Sequence, residues 1–217
     1  MDYLSFFITC FATLFIIIDP PGNIPFFIAL TEDLPSDIRE RISKRATIIA
    51  AGLLVLITLT GGATLRFFGV SIDGLRIAGG ILLFLVAYDI LKGGAAKERY
   101  LKRGIESRDI DSLAVFPIAL PLYTGPGAIT AAIVLASEAK DAIGMLTVVL
   151  SVVLVYLIVR LTHIYSDQII HLLGKSGADI VARVMAIFLA AIAVEYITQG
   201  ISGKVDEIVQ QIQQVIR

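Results

Sequence analysis

Apolar residues run along this chain in stretches that are too long and too uniform for the surface helices of a soluble protein. Six such stretches carry few charges, and each is about as long as the roughly 20 residues that a helix needs to cross a bilayer. They cover residues 3–31, 46–65, 71–91, 112–137, 142–159 and 177–197. The pattern therefore predicts an all-α membrane protein with six transmembrane helices.

The first and fourth stretches are too long for one straight helix, and each carries helix-breaking residues near its middle. Their low-charge runs hold 29 and 26 residues. The first contains Asp19-Pro20-Pro21-Gly22-Asn23-Ile24-Pro25, and the fourth contains Pro121-Leu122-Tyr123-Thr124-Gly125-Pro126-Gly127-Ala128. Proline removes a backbone donor and clashes with the preceding turn, and glycine disfavours helix. We expect both helices to be discontinuous, each divided into two half-helices.

The two breaks lie at corresponding positions in two halves of the chain. Pro21-Gly22 and Pro126-Gly127 are 105 residues apart, and each lies in the first span of a three-span half. Because each half has an odd number of spans, the second half must enter the membrane inverted. Inverted repeats with broken helices are typical of secondary transporters. The predicted units are a first three-helix repeat (1–91), a cytoplasmic linker (92–111), a second, inverted three-helix repeat (112–203) and an amphipathic C-terminal helix (204–217).

Basic residues are distributed unequally between the loops. The loops after the first, third and fifth spans hold thirteen of the 18 Lys and Arg residues, and the other side holds five. The positive-inside rule places those three loops in the cytoplasm and both termini outside. The first span follows Asp2 instead of a basic segment, and no small-residue cleavage site follows it, so we expect it to be retained. We predict a multi-pass protein of the plasma membrane.

Composition agrees with a lipid bilayer as the surrounding medium and excludes several partners. The chain is 57% hydrophobic and 17% charged, with a mean hydropathy of +0.86. A formal net charge of -1 gives no basic surface for nucleic acid. The sequence contains no catalytic motif and no cofactor-binding motif that we recognise, so we expect neither an enzyme nor a cofactor. Small-residue helix faces and the amphipathic tail would allow a homo-oligomer.

Unwound backbone in a membrane must be satisfied by protein or must line a cavity. Each break offers N–H donors at the start of one half-helix and carbonyl acceptors at the end of the other. A cavity lined by both N–H donors and carbonyl acceptors suits a small zwitterion, whose carboxylate and ammonium groups they would bind. Asn23 and Thr124 stand where they could cap the half-helices that follow the breaks.

Asp19 is the one carboxyl near the middle of a predicted span. A charge there costs roughly 2.5–3.5 kcal/mol on membrane-insertion scales, so we expect a buried carboxyl group to have a structural or functional role. Our hypothesis is that Asp19 faces the cavity and binds the ammonium group of the ligand or a coupling proton. The alternative is an aspartate that only shapes the break.

The two helix-breaking motifs, Asp19 to Pro25 and Pro121 to Ala128, together resemble those of the MarC/SnatA family of integral membrane proteins. The resemblance extends over about residues 1–200. The resemblance implies six spans in two inverted halves with discontinuous first and fourth helices. For SnatA-like members it implies transport of small neutral amino acids such as glycine, alanine and serine, coupled to an ion gradient for which we expect protons. The predicted substrate-binding residues are Asp19, Pro20, Pro21, Gly22, Asn23, Tyr123, Thr124, Gly125, Pro126, Gly127 and Thr130, with Asp19 also the candidate for ion coupling.

A passive channel for small polar solutes is the alternative function. Asn23-Ile24-Pro25 resembles the Asn-Pro-Ala half-helix loops of water channels, but the second break contains no asparagine. A channel would not accumulate its solute against a gradient, so transport measurements separate the two hypotheses.

Two further patterns are weaker. His163, Asp167 and His171 recur every four residues, but the two histidines would be about 12 Å apart along a helix, too far for one metal ion. Tyr88-Asp89 resembles half of an intramembrane aspartyl protease pair, but the second half of such a pair is missing. We predict no metal site and interpret Asp89 as an interfacial charge.

Overall fold

The computed structural model describes residues 2–31, 34–93 and 113–216, and this part of the chain forms helices and no strands. Its helices are α1 (Tyr3–Ile18), α2 (Ile24–Thr31), α3 (Ser36–Phe67), α4 (Ile72–Leu91), α5 (Ala114–Tyr123), α6 (Pro126–Glu138), α7 (Ala142–Ile164) and α8 (Ser166–Ile216). The all-α class is confirmed. Most of the predicted linker, residues 94–111, lies outside the described residues.

Four helices are long and apolar enough to cross a membrane. They are α3, α4, α7 and the Asp179–Gln213 part of α8. These helices match the predicted second, third, fifth and sixth spans to within two residues at their starts, apart from α3, which begins ten residues before the predicted second span. The predicted first and fourth spans are instead divided into the shorter pairs α1–α2 and α5–α6. The chain is therefore a multi-pass membrane protein in which two apolar segments are broken, as the sequence predicts.

Side-chain hydrogen bonds and ion pairs join the loops to one another at each of the two ends of the helix bundle. At one end, Arg39 at the start of α3 pairs with Asp167 just after α7. At the other end, Tyr3 donates a hydrogen bond to Asp141, and Arg76 pairs with Glu138. The loops after the first and fifth predicted spans thus meet at one end, and the chain start meets the loop after the fourth span at the other.

The most extensive helix packing joins α4 to α8. A Cβ atom added to Gly80 would lie 2.7 Å from the carbonyl oxygen of Ala193, and one added to Gly200 would lie 2.7 Å from the carbonyl oxygen of Asp73. Glycine at these positions lets the two backbones approach closely, as is common between membrane helices. These two helices form one side of the cavity described below.

The apolar core lies mainly between α1, α3, α6 and α7. Its fully buried side chains include Cys10, Leu14, Leu54, Val134 and Val152. Cys10 is a free thiol.

The predicted C-terminal amphipathic segment continues the last helix. Helix α8 continues through residues 203 and 204 without interruption, and its one non-helical residue is Gly174, with φ 68°. No proline follows the sixth span, and Gly203 packs closely against Asp73 of α4. The apolar side chains of this segment that the structure describes are exposed: Val205, Ile208, Val209 and Ile212.

Candidate functional site

The first break is a tight turn built around Asp19. Helix α1 ends there because Asp19 adopts the left-handed conformation, with φ 49°. Its Oδ1 accepts a hydrogen bond of 3.1 Å from the backbone N–H of Gly22. A Cβ atom at position 22 would overlap the Asp19 carboxylate, so only glycine fits this turn. Pro20 is buried within the turn and Pro21 is partly exposed.

Asn23 closes the same turn from its far side. Its Nδ2 donates a hydrogen bond of 2.8 Å to the carbonyl oxygen of Ile18, the last residue of α1. The prediction that Asn23 caps the following half-helix is therefore wrong, because the turn at Asp19 carries the side chain back over the preceding helix. Asn23 is buried, and its Oδ1 has no hydrogen-bond partner among the described residues.

The second break follows an irregular helix. Helix α5 has π-helical geometry with two extended residues, Phe116 and Leu120, each of which directly precedes a proline. Proline disfavours helical backbone in the residue before it, which explains both positions. After Tyr123 the backbone leaves helical geometry at Thr124 and Gly125, and α6 begins at Pro126.

Neighbouring helices hold the second break in place. The Thr124 hydroxyl lies 2.8 Å from the Tyr156 hydroxyl of α7 and donates to the carbonyl oxygen of Ala50 in α3, at 3.3 Å. Tyr156 also donates to the carbonyl oxygen of Tyr123, at 3.2 Å. The prediction that Thr124 caps α6 is wrong, because its hydroxyl points toward α3 and α7. Gly125 precedes α6 instead and supplies no side-chain cap.

A largely apolar cavity of about 320 Å³ lies beside the second break. Its lining includes Ile17, Leu83, Asp89, Tyr123, Gly125, Pro126, Gly127 and Ala128. A Cβ atom on Gly127 would overlap Leu83 of α4, so glycine at this position lets α6 pack closely against α4 beside the cavity. Thr130, one turn further along α6, is buried against Gly79 of α4.

His163 connects the two breaks. Its Nε2 lies 2.6 Å from the Tyr123 hydroxyl, at the second break, and its Nδ1 lies 2.9 Å from the Ser43 hydroxyl of α3. The ring also stacks on Phe27 of α2, just after the first break, with centroids 3.8 Å apart and planes 7° apart. One buried side chain on α7 thus contacts the elements that carry both breaks.

A second, polar cavity of about 270 Å³ leads from the end of the molecule to the His163 ring. Its lining includes Arg39, Glu40, Ser43, Arg160, His163 and Asp167. Arg160 donates to the Ser43 hydroxyl at 2.7 Å and pairs with Glu40 at 3.1 Å. Charged groups thus surround the entrance, and hydroxyl and imidazole groups form the inner end.

Sequence reasoning missed His163, Ser43, Arg160 and Tyr156. The histidine drew attention only as a metal ligand together with Asp167 and His171. In the structure Asp167 pairs with Arg39, and His171 is exposed. Within the described ranges, no three His, Cys, Asp or Glu side chains form a group that could hold a metal ion. The available signal was a lone histidine close to a long apolar run, which does not identify its partners.

The sequence profile described as "MarC family integral membrane protein" matches residues 4–205 of this chain. A UPF0056 membrane protein of Archaeoglobus fulgidus is 64% identical over 202 residues, covering 93% of this chain and 95% of the relative. A UPF0056 membrane protein of Methanocaldococcus jannaschii is 38% identical over 200 residues, covering 92% and 98%. The UPF0056 membrane protein YvbG of Bacillus subtilis is 32% identical over 205 residues, covering 92% and 95%. No solved structure matches the chain significantly.

Proposed function

This chain belongs to the MarC family of integral membrane proteins, and from that premise we propose that it is a secondary active transporter of small neutral amino acids such as glycine, alanine and serine. One observation carries the proposal: two apolar segments are broken at matching positions, and His163 contacts the elements on which both breaks lie. Broken helices at corresponding positions of two halves mark the binding site in many secondary transporters.

The polarity of the two breaks supports a zwitterionic ligand. The first break supplies acceptors, the Asp19 carboxylate and the Asn23 Oδ1 atom, which suit an ammonium group. At the second break, the N-terminal end of α6 borders the apolar cavity at Gly125 and Gly127, which suits a carboxylate. The small residues around this cavity favour a small ligand.

Asp19 has a defined role in shaping the turn, and its part in ion coupling stays a prediction. Asp19→Asn keeps an oxygen that can accept from Gly22 and removes the charge. If Asp19 carries the coupling proton, this variant loses the pH dependence of uptake. Transport with an unchanged pH profile would restrict Asp19 to shaping the break.

The remaining features of the proposal follow the membrane arrangement. We propose six spans in two inverted repeats that alternate access to a site between the breaks, coupled to protons. The protein would lie in the plasma membrane with both termini outside, as a monomer or a homo-oligomer.

Counterflow in proteoliposomes tests the transport function. Vesicles are loaded with unlabelled glycine, and entry of radiolabelled glycine is followed, with alanine and serine as further substrates. We expect transient accumulation of label by the wild-type protein and none by Gly127→Leu, whose side chain would overlap Leu83 and fill the cavity wall. Gly52→Leu is the matched control, because nothing lies within 4 Å of a Cβ atom there. Label that equilibrates without accumulating would favour the passive channel, and no entry of any of the three would overturn the proposal.

A further inference from the structure

The His163 ring separates the polar cavity from the second break. It borders the cavity on one side, and on the other its Nε2 lies 2.6 Å from the Tyr123 hydroxyl. Tyr123 in turn borders the apolar cavity. A solute moving from the polar cavity toward the second break would meet this imidazole–phenol contact. The contact between His163 and Tyr123 therefore has the position of a gate.

We propose that His163 is the proton-accepting residue of the transport cycle and that its protonation opens this gate. The inference rests on the proposed transport function, because it assigns the coupling proton to one side chain. Imidazole is the side chain whose charge ordinarily changes between pH 5 and 8. The chain has two histidines, and of these His163 is the buried one that contacts the elements of both breaks.

The closed arrangement suits the neutral ring. A neutral imidazole has one donor and one acceptor nitrogen. Its two partners here are hydroxyl groups, those of Ser43 and Tyr123, and each hydroxyl can donate or accept. Either tautomer of the neutral ring therefore satisfies both contacts.

A positively charged ring suits the closed arrangement less well. Arg160 donates to the Ser43 hydroxyl at 2.7 Å, and the same hydroxyl lies 2.9 Å from Nδ1 of His163. An imidazolium would place two cations on one hydroxyl oxygen, and like charges at this separation repel. Protonation therefore favours movement of the ring away from its closed position.

The charged groups around His163 indicate where the ring would move. Helix α2 contributes the uncharged Phe27, α3 contributes Arg39 and Glu40, α5 contributes Tyr123, α7 contributes Arg160 and α8 contributes Asp167. The Glu40 and Asp167 side chains are 71% and 68% exposed at the entrance of the polar cavity. Each of these carboxylates is already paired with an arginine, Glu40 with Arg160 and Asp167 with Arg39. What favours the movement is hydration, because an imidazolium is more stable at the water-exposed entrance than in its buried closed position, and moving there breaks its contact with Tyr123. The proton comes from water on the cavity side, and the ring releases it before closing again.

The test measures opening of the gate directly, without substrate. In a Cys10→Ala background, Ala128→Cys places one thiol at the buried start of α6 beside the second break, and Ser36→Cys at the exposed entrance serves as the reference in a parallel protein. Each is labelled in proteoliposomes with a water-soluble maleimide between pH 8 and pH 6. We expect the ratio of the Ala128→Cys rate to the Ser36→Cys rate to rise on acidification, by up to about tenfold per pH unit if one proton drives opening.

Two histidine variants decide the result. His163→Gln has a donor and an acceptor for Ser43 and Tyr123 but accepts no proton, so its labelling ratio should not change with pH. His171→Gln replaces the exposed histidine and should behave like the parent protein. An acid-dependent rise that persists in His163→Gln, or a parent protein without a rise, would overturn the proposal.

Transport supplies an independent second readout. Because a proton cannot open the gate of His163→Gln, we expect this variant to lose both glycine counterflow and uptake driven by a proton gradient, whereas His171→Gln should retain both. A wild-type protein that shows acid-dependent labelling but no counterflow would refute the proposed substrate and leave the gate standing. Uptake by His163→Gln that still follows the proton gradient would refute His163 as the coupling residue.

Discussion

The two breaks use similar residues but are held in different ways. In the first, Asp19 accepts a hydrogen bond from Gly22, three positions away, and Asn23 donates one to Ile18, five positions away. In the second, the bonds of Thr124 and Tyr123 reach partners 32, 40 and 74 positions away. The first break is thus closed by hydrogen bonds within the turn itself, and the second is held by hydrogen bonds to α3 and α7.

This difference suggests how the site could change shape. A turn closed by neighbouring residues keeps its geometry when helices around it move. A break held by Tyr156 and His163 loses its contacts as soon as α7 shifts relative to α5. We infer that the first break is the fixed part of the site and that the second break is the part that opens.

The largest effect on stability should come from adding one methyl group to the first break. In Gly22→Ala the new Cβ overlaps the Asp19 carboxylate, which is itself hydrogen-bonded within the turn. Overpacking of this kind costs about 3 kcal/mol. Gly127→Ala meets only the tip of the Leu83 side chain, so it should cost less. Reversible unfolding in mixed micelles compares the two, and equal losses would contradict a rigid first break.

Gly62→Ala is the control for that comparison. Nothing lies within 4 Å of a Cβ atom at Gly62 in α3, and alanine is favoured over glycine inside a helix. The same unfolding measurement should therefore show no loss of stability.

Removing the Thr124 hydroxyl should weaken the second break. Thr124→Val keeps the shape of the side chain but leaves the Ala50 carbonyl and the Tyr156 hydroxyl without this partner. The loss of a buried hydrogen bond predicts a destabilisation of about 2 kcal/mol. Thr124→Ser retains the hydroxyl and should recover most of it. Equal stability of the valine and serine variants would show that these distant bonds do not hold the break.

Asn23→Leu should cost less stability than Thr124→Val, about 1 kcal/mol or less. The variant loses the bond to the Ile18 carbonyl, but it also removes the buried Oδ1 atom that lacks a partner among the described residues. Thermal unfolding measures this small change, and glycine counterflow should fall far more if Oδ1 binds the ligand. Normal counterflow would exclude Asn23 from the site.

The smallest effect concerns the far end of α1, remote from the break. Hydrogen bonds from the Tyr3 hydroxyl and the Gly144 backbone hold the pKa of Asp141 below its ordinary value of 3.8. A lowered folded-state pKa means that the carboxylate contributes stability above the unfolded-state pKa. This contribution is lost as the pH falls through the folded-state pKa. Tyr3→Phe should therefore match the wild type at pH values below the folded-state pKa of Asp141 and be slightly less stable near neutrality. A difference of the same size at every pH would assign the effect to packing.

The sequence predicts the parts of this fold that depend on local chemistry. Long apolar runs identify the spanning helices, and the prolines and glycines locate both breaks. Extended backbone at Phe116 and Leu120 follows from the prolines after them. These features need only neighbouring residues, which is why one sequence is enough to find them.

Features that depend on three-dimensional packing could not be predicted in the same way. Asn23 and Thr124 are residue types that commonly cap helices. In the structure the Asn23 side chain bonds the preceding helix, and the Thr124 side chain bonds α3 and α7. His163 lies 40 residues from Tyr123 and 120 from Ser43, so no local pattern joins them. Only the packing of α7 against α3 and α5 brings these groups together.

The most direct test of a site shared by both breaks uses Asn23, which is the only asparagine in the chain. Selective ¹⁵N-asparagine labelling gives one side-chain signal, observed by solid-state NMR in lipid with ¹³C-glycine as ligand. We predict that this signal shifts when glycine binds, that it shows a dipolar contact to the bound ¹³C-glycine, and that Gly127→Leu at the other break abolishes both. An Asn23 signal that stays unchanged at glycine concentrations that saturate counterflow would contradict the shared site.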